Sequence, residues 1–124
     1  MNIYLSHSNG FDFKKELYKP IKESLLNNKY SFIFPHEKSK KLFLTKEFLK
    51  NNCDLLIAEV SYKSTGSGIE IGWADYFNIP IICIYKKGSI ISNSLQCITD
   101  IFIEYKNKKD LIEKLNQEIK KIIK

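Results

Sequence analysis

Short apolar runs alternate along the chain with longer segments in which apolar residues recur every three or four positions. The runs are rich in isoleucine, leucine and phenylalanine, and their length is typical of buried β-strands. They occupy residues 3–5, 31–34, 55–58, 81–85 and 101–103. Strands that alternate with helices predict a parallel sheet covered by helices, so we expect five parallel strands.

The longer segments predict the helices. The first segment carries an apolar stripe and contains Pro20, which either kinks the helix or restarts it. The stripe consists of Phe13, Leu17, Ile21 and Leu25. The other helices are predicted over residues 42–50, 68–77 and 110–123. Together these elements predict a single-domain α/β fold over residues 1–124, a Rossmann-like or flavodoxin-like three-layer sandwich with a five-stranded parallel sheet.

Length and composition limit the classes of protein to consider. The chain has 124 residues, 44% of them hydrophobic, which is enough for one domain with a hydrophobic core. Its amino terminus lacks the charged and then apolar layout of a signal peptide, and no apolar run approaches the roughly 20 residues that cross a bilayer. We therefore expect a cytoplasmic protein with no membrane partner.

The net charge of +6 raises the question of nucleic-acid binding. All 20 basic residues are lysines, so the bidentate contacts that arginine makes with guanine and phosphate are not available. Lysines interspersed with glutamates, as in residues 106–124, are typical of a solvated helix face. We expect no nucleic-acid polymer as a partner.

The cysteines, Cys53, Cys83 and Cys97, are odd in number and widely spaced, and two of them lie in apolar runs. We expect reduced residues that pack in the core rather than disulfides or metal ligands. The two histidines are far apart in the sequence and there is no CxxC pair. The sequence therefore predicts neither a metal site nor a cofactor.

In parallel sheets a ligand binds beyond the carboxyl ends of the strands. The corresponding loops are residues 6–10, 35–39, 61–68 and 86–94. The loop at 61–68 contains two glycines that let backbone amides approach a ligand, and it leads into a predicted helix whose amino terminus favours anions. It is a candidate phosphate or sugar site, although small polar residues are also ordinary in a turn.

Glu70 follows this loop, in the first turn of the predicted helix. A carboxylate at that position can simply complement the helix dipole, which would also keep it ionised. Next to a bound sugar, an ionised carboxylate can instead attack the anomeric carbon and form a covalent glycosyl-enzyme. Glu70 is therefore the candidate nucleophile.

Two segments around this loop, CDLLIAEVS at residues 53–61 and STGSGIEIG at residues 64–72, resemble the signature of the nucleoside 2-deoxyribosyltransferase family. The similarity extends into residues 74–92, includes the opening residues 3–5, and is closest to the branch of deoxynucleoside 5′-monophosphate N-glycosidases. The resemblance implies one domain of this family. It also implies hydrolysis or transfer at the N-glycosidic bond of a deoxynucleoside or its monophosphate, through a covalent glycosyl-enzyme.

The resemblance assigns roles to single residues. It implies that Glu70 is the nucleophile and that Tyr4 is a catalytic aromatic residue beside the sugar and Glu70. Ser64, Gly66 and Gly68 correspond to the loop that holds the phosphate or hydroxymethyl end of the substrate. The implied reaction needs no metal or cofactor.

Further substrate contacts are implied at the other loops. His36 corresponds to a residue that lines the base pocket, and His7 is expected near the same base. Ser92 corresponds to a serine that family members contribute across a dimer interface, and Asn93 or Ser94 could take its place. The resemblance therefore implies a homodimer with sites at the subunit boundary.

The sequence departs from the family pattern in two places. The first loop lacks the arginine that monophosphate hydrolases carry, which leaves serine hydroxyls, backbone amides and Lys14 or Lys15 to hold a phosphate. The aspartate that helps to protonate the leaving base corresponds to Lys46, with Glu47 beside it. We hypothesise that Glu47 or His7 replaces this acid.

Two other functions are kept as alternatives. Loss of the acid at Lys46 would fit a nucleotide-binding module without catalysis. Residues 3–8 also resemble the first strand of a TIR domain, a parallel α/β fold that can cleave the glycosidic bond of a nicotinamide dinucleotide. At the level of single residues, Tyr4 can be an ordinary strand residue and His36 a loop histidine beside Pro35.

Overall fold

The computed structural model describes residues 1–37 and 45–123, and these residues form one sheet flanked by helices. The strands are β1 (Asn2–His7), β2 (Ser31–Ile33), β3 (Leu55–Glu59), β4 (Ile81–Lys86) and β5 (Phe102–Tyr105). Their order is β2-β1-β3-β4-β5, and every neighbouring pair is parallel. The predicted five-stranded parallel sheet is confirmed, and its strand order is that of flavodoxin-like folds.

Helices connect the strands. They are a π-helix (Lys14–Tyr18), α1 (Lys19–Lys22), α2 (Leu26–Lys29), α3 (Thr45–Asn52), α4 (Thr65–Tyr76), a 3₁₀-helix (Asn93–Cys97) and α5 (Lys108–Ile123). Of the predicted helix at 42–50, residues 42–44 lie outside the described residues. None of the helices in the described part of the chain is long and apolar enough to cross a membrane.

The core is divided between the two faces of the sheet, because side chains alternate along each strand. In β1, Ile3 and Leu5 face one core and Tyr4 faces the other. The first core is covered by the π-helix, α1, α2 and α5, and the second by α3 and α4. Helices therefore cover both faces, which confirms the predicted three-layer sandwich.

The first predicted helix is broken into three pieces. Leu17 and Ile21 are buried as predicted, but Leu25 is 72% exposed, so its predicted place in the core is wrong. Helix α1 ends in a turn where the Ser24 hydroxyl donates to the Ile21 carbonyl at 2.7 Å. This turn shifts the helical phase, and Leu26 is buried in place of Leu25.

Helix α4 begins at Thr65, three residues before its predicted start. Ser64 caps it, because the Ser64 hydroxyl accepts a hydrogen bond from the backbone N–H of Ser67 at 3.2 Å. Glu70 therefore lies in the second turn rather than the first. The effect of the helix dipole falls off within the first turn, so Glu70 lies beyond the turn in which that effect is largest.

The cysteines are free thiols, as predicted. Cys83 is buried and Cys53 is half-buried, and burial raises the pKa of the Cys83 thiol to about 11. Cys97 is exposed at the end of the 3₁₀-helix, so a packing role is wrong for this residue. Within residues 1–37 and 45–123, no three His, Cys, Asp or Glu side chains lie together as a metal site requires.

Candidate active site

The Glu70 carboxylate lies against strand β1. The Tyr4 hydroxyl donates to Glu70 Oε2 at 2.7 Å, and the Ser6 hydroxyl donates to Glu70 Oε1 at 2.7 Å. Tyr4 and Ser6 alternate with Leu5, so both leave the strand on the face that α4 covers. The structure thus brings the predicted pair Tyr4 and Glu70 together and adds Ser6, so that each carboxylate oxygen accepts from a different hydroxyl group.

Two further hydroxyl groups support this arrangement. Thr45 Oγ1 lies 3.2 Å from the Tyr4 hydroxyl oxygen, and Ser67 Oγ lies 2.7 Å from Ser6 Oγ. Tyr4 and Ser6 each direct their single hydroxyl hydrogen to Glu70, so Thr45 and Ser67 are the donors in these outer bonds. The result is a network that converges on the carboxylate from α3, α4 and β1.

Tyr4 stays protonated beside this carboxylate. Its side chain is 1% exposed, and burial raises the pKa of its hydroxyl above the ordinary value. The Glu70 charge raises that pKa further, because a second negative charge beside a carboxylate is unfavourable. Tyr4 therefore remains a hydrogen-bond donor to Glu70 at physiological pH.

A cavity of about 450 Å³ opens beside the amino terminus of α4. Its polar lining residues in the described part of the chain are Glu59, Tyr62, Lys63, Ser64, Ser67, Ser92 and Ser94. Among the described residues Glu70 is not part of this lining. Ser67 belongs both to the lining and to the network around Glu70, so the cavity and the carboxylate are adjacent parts of one site.

Only some residues of the predicted substrate loop, residues 61–68, line the cavity. Ser64 and Gly68 line it, whereas Gly66 is exposed in the first turn of α4. A methyl group added at Gly68 would meet no atom within 4 Å, and one added at Gly66 would meet Ser64 Oγ at 4.0 Å. The two glycines, predicted in a loop, instead leave the beginning of a helix open to a ligand.

Ser92 lies at the cavity of its own chain. It caps the 3₁₀-helix, because its hydroxyl accepts from the backbone N–H of Ser94 at 3.4 Å. Ser94 also lines the cavity, while Asn93 between them is exposed and is not among the described lining residues. The loop therefore reaches the site within one chain, and a contribution of Ser92 across a dimer interface stays a prediction.

His7 points to the opposite face of the sheet from Glu70, because it follows Ser6 in an extended strand. The ring is 6% exposed, with Nδ1 2.8 Å from the Ser8 carbonyl oxygen and Nε2 2.6 Å from the Tyr18 hydroxyl. A carbonyl can only accept, so Nδ1 carries the hydrogen and Nε2 accepts from Tyr18. Burial lowers the pKa of His7 to about 4, so the ring is neutral at pH 7. This placement argues against the hypothesis that His7 is the missing acid.

Aromatic side chains surround His7. Its ring stacks on Phe13 with the centroids 4.4 Å apart, and the His36 ring lies 5.5 Å from His7 and 6.0 Å from Phe13. The backbone N–H of His36 donates to the Tyr18 hydroxyl at 3.2 Å. Burial raises the pKa of Tyr18 to about 12, with a smaller contribution from the Glu70 charge, so this cluster lies within electrostatic range of the carboxylate. The two histidines predicted near the base are therefore neighbours.

Solvent surrounds the position that corresponds to the family's aspartate, the residue that helps to protonate the leaving base. Lys46 and Glu47 are both exposed on α3, and Lys46 Nζ lies 5.9 Å from the centre of the Trp73 ring. The residue before them, Thr45, is the one that reaches Tyr4. The exposed position of Glu47 gives no support to the hypothesis that it protonates the leaving base.

The lysines suggested as phosphate ligands lie elsewhere. Lys14 lines a different cavity of about 290 Å³, next to Tyr18 and Lys22, and Lys15 is exposed on the π-helix. Neither is among the described residues that line the cavity beside α4, whereas Lys63 is, so the structure gives no support to Lys14 or Lys15 as a ligand there.

Three residues in and around the candidate site were not singled out from the sequence: Ser6, Ser67 and Glu59. Glu59 is 1% exposed at the end of β3, where it accepts from the Ser61 backbone N–H at 2.6 Å and from the Tyr105 hydroxyl. Burial and the Glu59 charge raise the pKa of Tyr105, which keeps it a donor. The sequence feature that could have pointed to Glu59 is an acidic residue directly after the apolar run of a predicted strand.

Comparisons with known proteins point to one class. No protein-family model matches the chain. A curated relative from Syntrophotalea carbinolica, provisionally named 2′-deoxynucleoside 5′-phosphate N-hydrolase 1, is 53% identical over 36 residues. That match covers 29% of this chain and 25% of the relative, so the chain matches about a quarter of the relative's length.

A solved structure matches over nearly the whole chain. The CMP N-glycosidase BcmB of Clostridium botulinum has a TM-score of 0.67 and 25% sequence identity, over 94% of this chain and 99% of that one. Together the two comparisons confirm the resemblance to the nucleoside 2-deoxyribosyltransferase family. Both similar proteins carry the names of enzymes, an N-hydrolase and an N-glycosidase.

Proposed function

We propose that the protein is an enzyme that cleaves the N-glycosidic bond of a nucleoside 5′-monophosphate, with Glu70 as the nucleophile. The observation that carries the proposal is the Glu70 carboxylate, held by Tyr4 and Ser6 at 2.7 Å each beside a cavity of about 450 Å³. The names of the two similar proteins support the reaction class and a nucleotide substrate.

In the proposed reaction an oxygen of Glu70 attacks the anomeric carbon of the sugar. The bond to the base nitrogen breaks, its electron pair leaves with the base, and the base takes up a proton from the solvent. Water then attacks the same carbon and the bond to Glu70 breaks, which releases the sugar phosphate, regenerates the carboxylate and returns a proton to the solvent. A second base in place of water would make the reaction a transfer.

Tyr4 and Ser6 orient the nucleophile in this scheme. Each donates to a different oxygen of Glu70, so the carboxylate is held in one orientation before the substrate binds. Thr45 and Ser67 hold the two donors in turn. When one oxygen of Glu70 becomes an ester oxygen, the carbonyl oxygen still accepts from the hydroxyl that faces it.

The proposal places the phosphate in the cavity between α4 and the 3₁₀-helix. Ser64 and Ser92 offer hydroxyl groups there, and Lys63 offers the opposite charge that an arginine supplies in related enzymes. The base would lie toward the aromatic cluster, where Phe13 and His36 present half-buried rings. A monophosphate should therefore be a better substrate than the free nucleoside.

Release of free base tests the proposal. The panel consists of deoxynucleosides, ribonucleosides, their 5′-monophosphates and a nicotinamide dinucleotide, each followed by chromatography. The wild type should release base from a monophosphate, and Glu70→Ala should be slower by at least about a thousandfold, because it lacks the nucleophile. Glu47→Ala removes an exposed carboxylate and should keep full activity. Undiminished release by Glu70→Ala, or no release from any compound, would refute the proposal.

A second candidate is a nucleotide-binding module without catalysis. The observation that favours it is the exposed Lys46 at the position of the family's acid. Such a module would be stabilised by a nucleotide, because binding to the native state alone raises the unfolding temperature, and it would release no base. Thermal unfolding measured beside the release assay therefore separates the two functions.

A cytoplasmic location and a homodimer also stay predictions. The homodimer is implied by the family resemblance, and exposed apolar residues are available to a partner: Ile69 and Tyr76 on α4, and Ile90 in the loop after β4. A monomer in light scattering would exclude the dimer without affecting the proposed reaction.

A further inference from the structure

The loops around the proposed site are joined by the side chain of Lys86, the last residue of β4. Its Nζ donates to the Glu16 carboxylate, and to the Tyr62 hydroxyl at 2.9 Å. The same nitrogen lies 5.3 Å from the centre of the Phe11 ring and 5.1 Å from that of Tyr62, and these two rings stack 4.7 Å apart. Lys86 therefore connects the loop after β1, the π-helix and the loop after β3.

The charge on Lys86 is needed for all of these contacts. Partial burial lowers its pKa, but the hydrogen bonds to Glu16 and Tyr62 and the Glu16 charge raise it more, so the pKa stands above its ordinary value. An ammonium group can donate to two oxygens and also attract the faces of aromatic rings. A methionine side chain, of similar length but without charge or donors, can do neither.

Tyr62 links Lys86 to the proposed phosphate cavity. Tyr62 lines the cavity and precedes Lys63 and Ser64, which line it too. The backbone N–H of Lys86 also donates to Ser61 Oγ at 2.7 Å, so β4 holds two consecutive residues of this loop.

Phe11 links the same lysine to the proposed base site. Its ring lies 6.3 Å from that of Phe13 and 6.2 Å from that of His7. Lys86 thus stands between the two regions that the proposed function gives to the phosphate and to the base.

We infer that Lys86 is a positioning residue. It holds residues 61–64, the part of the substrate loop that precedes α4, at the cavity by fixing Tyr62 against Phe11. The kinetic part of this inference rests on the proposed function, and the structural part does not. Lys86 acts through the loop rather than on Glu70, whose hydrogen bonds come from β1. Its loss should weaken substrate binding more than it slows the chemical step.

Lys86→Met tests the inference because it keeps the apolar stem and removes the charge. For the most reactive monophosphate of the panel, KM should rise about tenfold while kcat stays within about threefold. Hydrogen exchange of the amides of residues 61–68 should become faster by about tenfold. Lys86→Arg keeps the charge and the ring contacts and should restore both values. Lys87→Met, at the exposed neighbouring lysine, should change neither.

The possible outcomes separate this inference from the proposed function. Unchanged exchange of residues 61–68 in Lys86→Met overturns it, and so does faster exchange with an unchanged KM. If the wild type releases no base, the proposed function fails, and the exchange data still decide whether Lys86 holds the loop. If Lys86→Met does not fold, Tyr62→Phe removes one hydroxyl only and must show a smaller change in the same direction, or the inference is overturned.

Discussion

Hydroxyl groups surround the Glu70 carboxylate at the scale of single residues. Tyr4 and Ser6 donate to it, and Thr45 and Ser67 donate to those two. Neutral donors orient a carboxylate without an opposite charge beside it, which suits a nucleophile that attacks an anomeric carbon. A lysine or arginine in the inner positions would orient the carboxylate equally well but would compete with the electrophile for its charge.

The buried His7 predicts a fold that is sensitive to acid. Its pKa is lowered from 6.5 to about 4, so its stabilising effect is complete above pH 6.5 and is lost as the pH falls toward 4, because the unfolded chain takes up the proton first. Between pH 7 and pH 4.5 this residue should cost the wild type about 2 kcal/mol of unfolding free energy. Glutamine in His7→Gln can keep both hydrogen bonds but does not titrate. When the free energy of unfolding is measured in urea at pH 7 and pH 4.5, its decrease should be about 2 kcal/mol smaller in this variant than in the wild type.

The matched control for this prediction is His36→Gln. His36 is half-buried and contacts the His7 ring, but burial of His7 itself is the main cause of its lowered pKa. The control should therefore keep most of the acid sensitivity. Equal acid sensitivity in His7→Gln and the wild type would show that His7 is not the group responsible.

The sequence could suggest candidate site residues whose chemistry is recognisable from the residue type and its place in a motif. Glu70 and Tyr4 are of this kind, because a carboxylate after a glycine-containing loop and a tyrosine on the first strand match a known pattern. Ser6 and Ser67 are not, because serine is ordinary in any turn and their role comes from contacts between β1 and α4. His7 was predicted near the base, but strand alternation and burial place its ring away from Glu70.

At the scale of elements, local capping decided where helices begin and end. The strands and the last helix follow from apolar periodicity, which depends on burial alone. The beginning of α4 was predicted three residues late, because Gly66 and Gly68 have low helix propensity and the cap at Ser64 outweighs it. Pro20 restarts the first helix in the first turn of α1, and the turn that follows moves Leu25 into solvent.

Replacement of Gly68 by alanine should stabilise helix α4 but weaken substrate binding. An added methyl group would meet no atom within 4 Å, so Gly68→Ala should raise the unfolding free energy by about 0.5–1 kcal/mol. Because Gly68 lines the cavity, the same methyl group should raise KM by a few fold. Denaturant unfolding and base-release kinetics measure the two effects.

Gly72 is the matched control on the same helix. Its added methyl group would also meet no atom within 4 Å, and among the described residues it is not part of the cavity lining. Gly72→Ala should therefore give the same stabilisation with an unchanged KM. A raised KM in both variants would mean that helix rigidity, rather than occupation of the cavity, limits binding.

At the scale of the whole molecule, the strand order brings the residues of the candidate site together. In the order β2-β1-β3-β4-β5, the chain runs from β1 to β2 on one side of the sheet and from β3 to β4 on the other, so the loops after β1 and β3 separate and open a crevice at the carboxyl ends. Tyr4 and Ser6 on β1 and Glu70 on the helix after β3 meet there. Periodicity predicted five parallel strands, but the strand order depends on packing between distant segments that no local pattern contains.

Mass spectrometry of the protein quenched during turnover tests the central claim most directly. With the monophosphate that releases the most base, we predict a mass increase of one sugar phosphate, located by proteolysis on a peptide that contains Glu70. Glu70→Gln, of nearly the same shape, should acquire no such mass. A sugar adduct on another residue, or base release by Glu70→Gln at the wild-type rate, would contradict a covalent glycosyl-enzyme on Glu70.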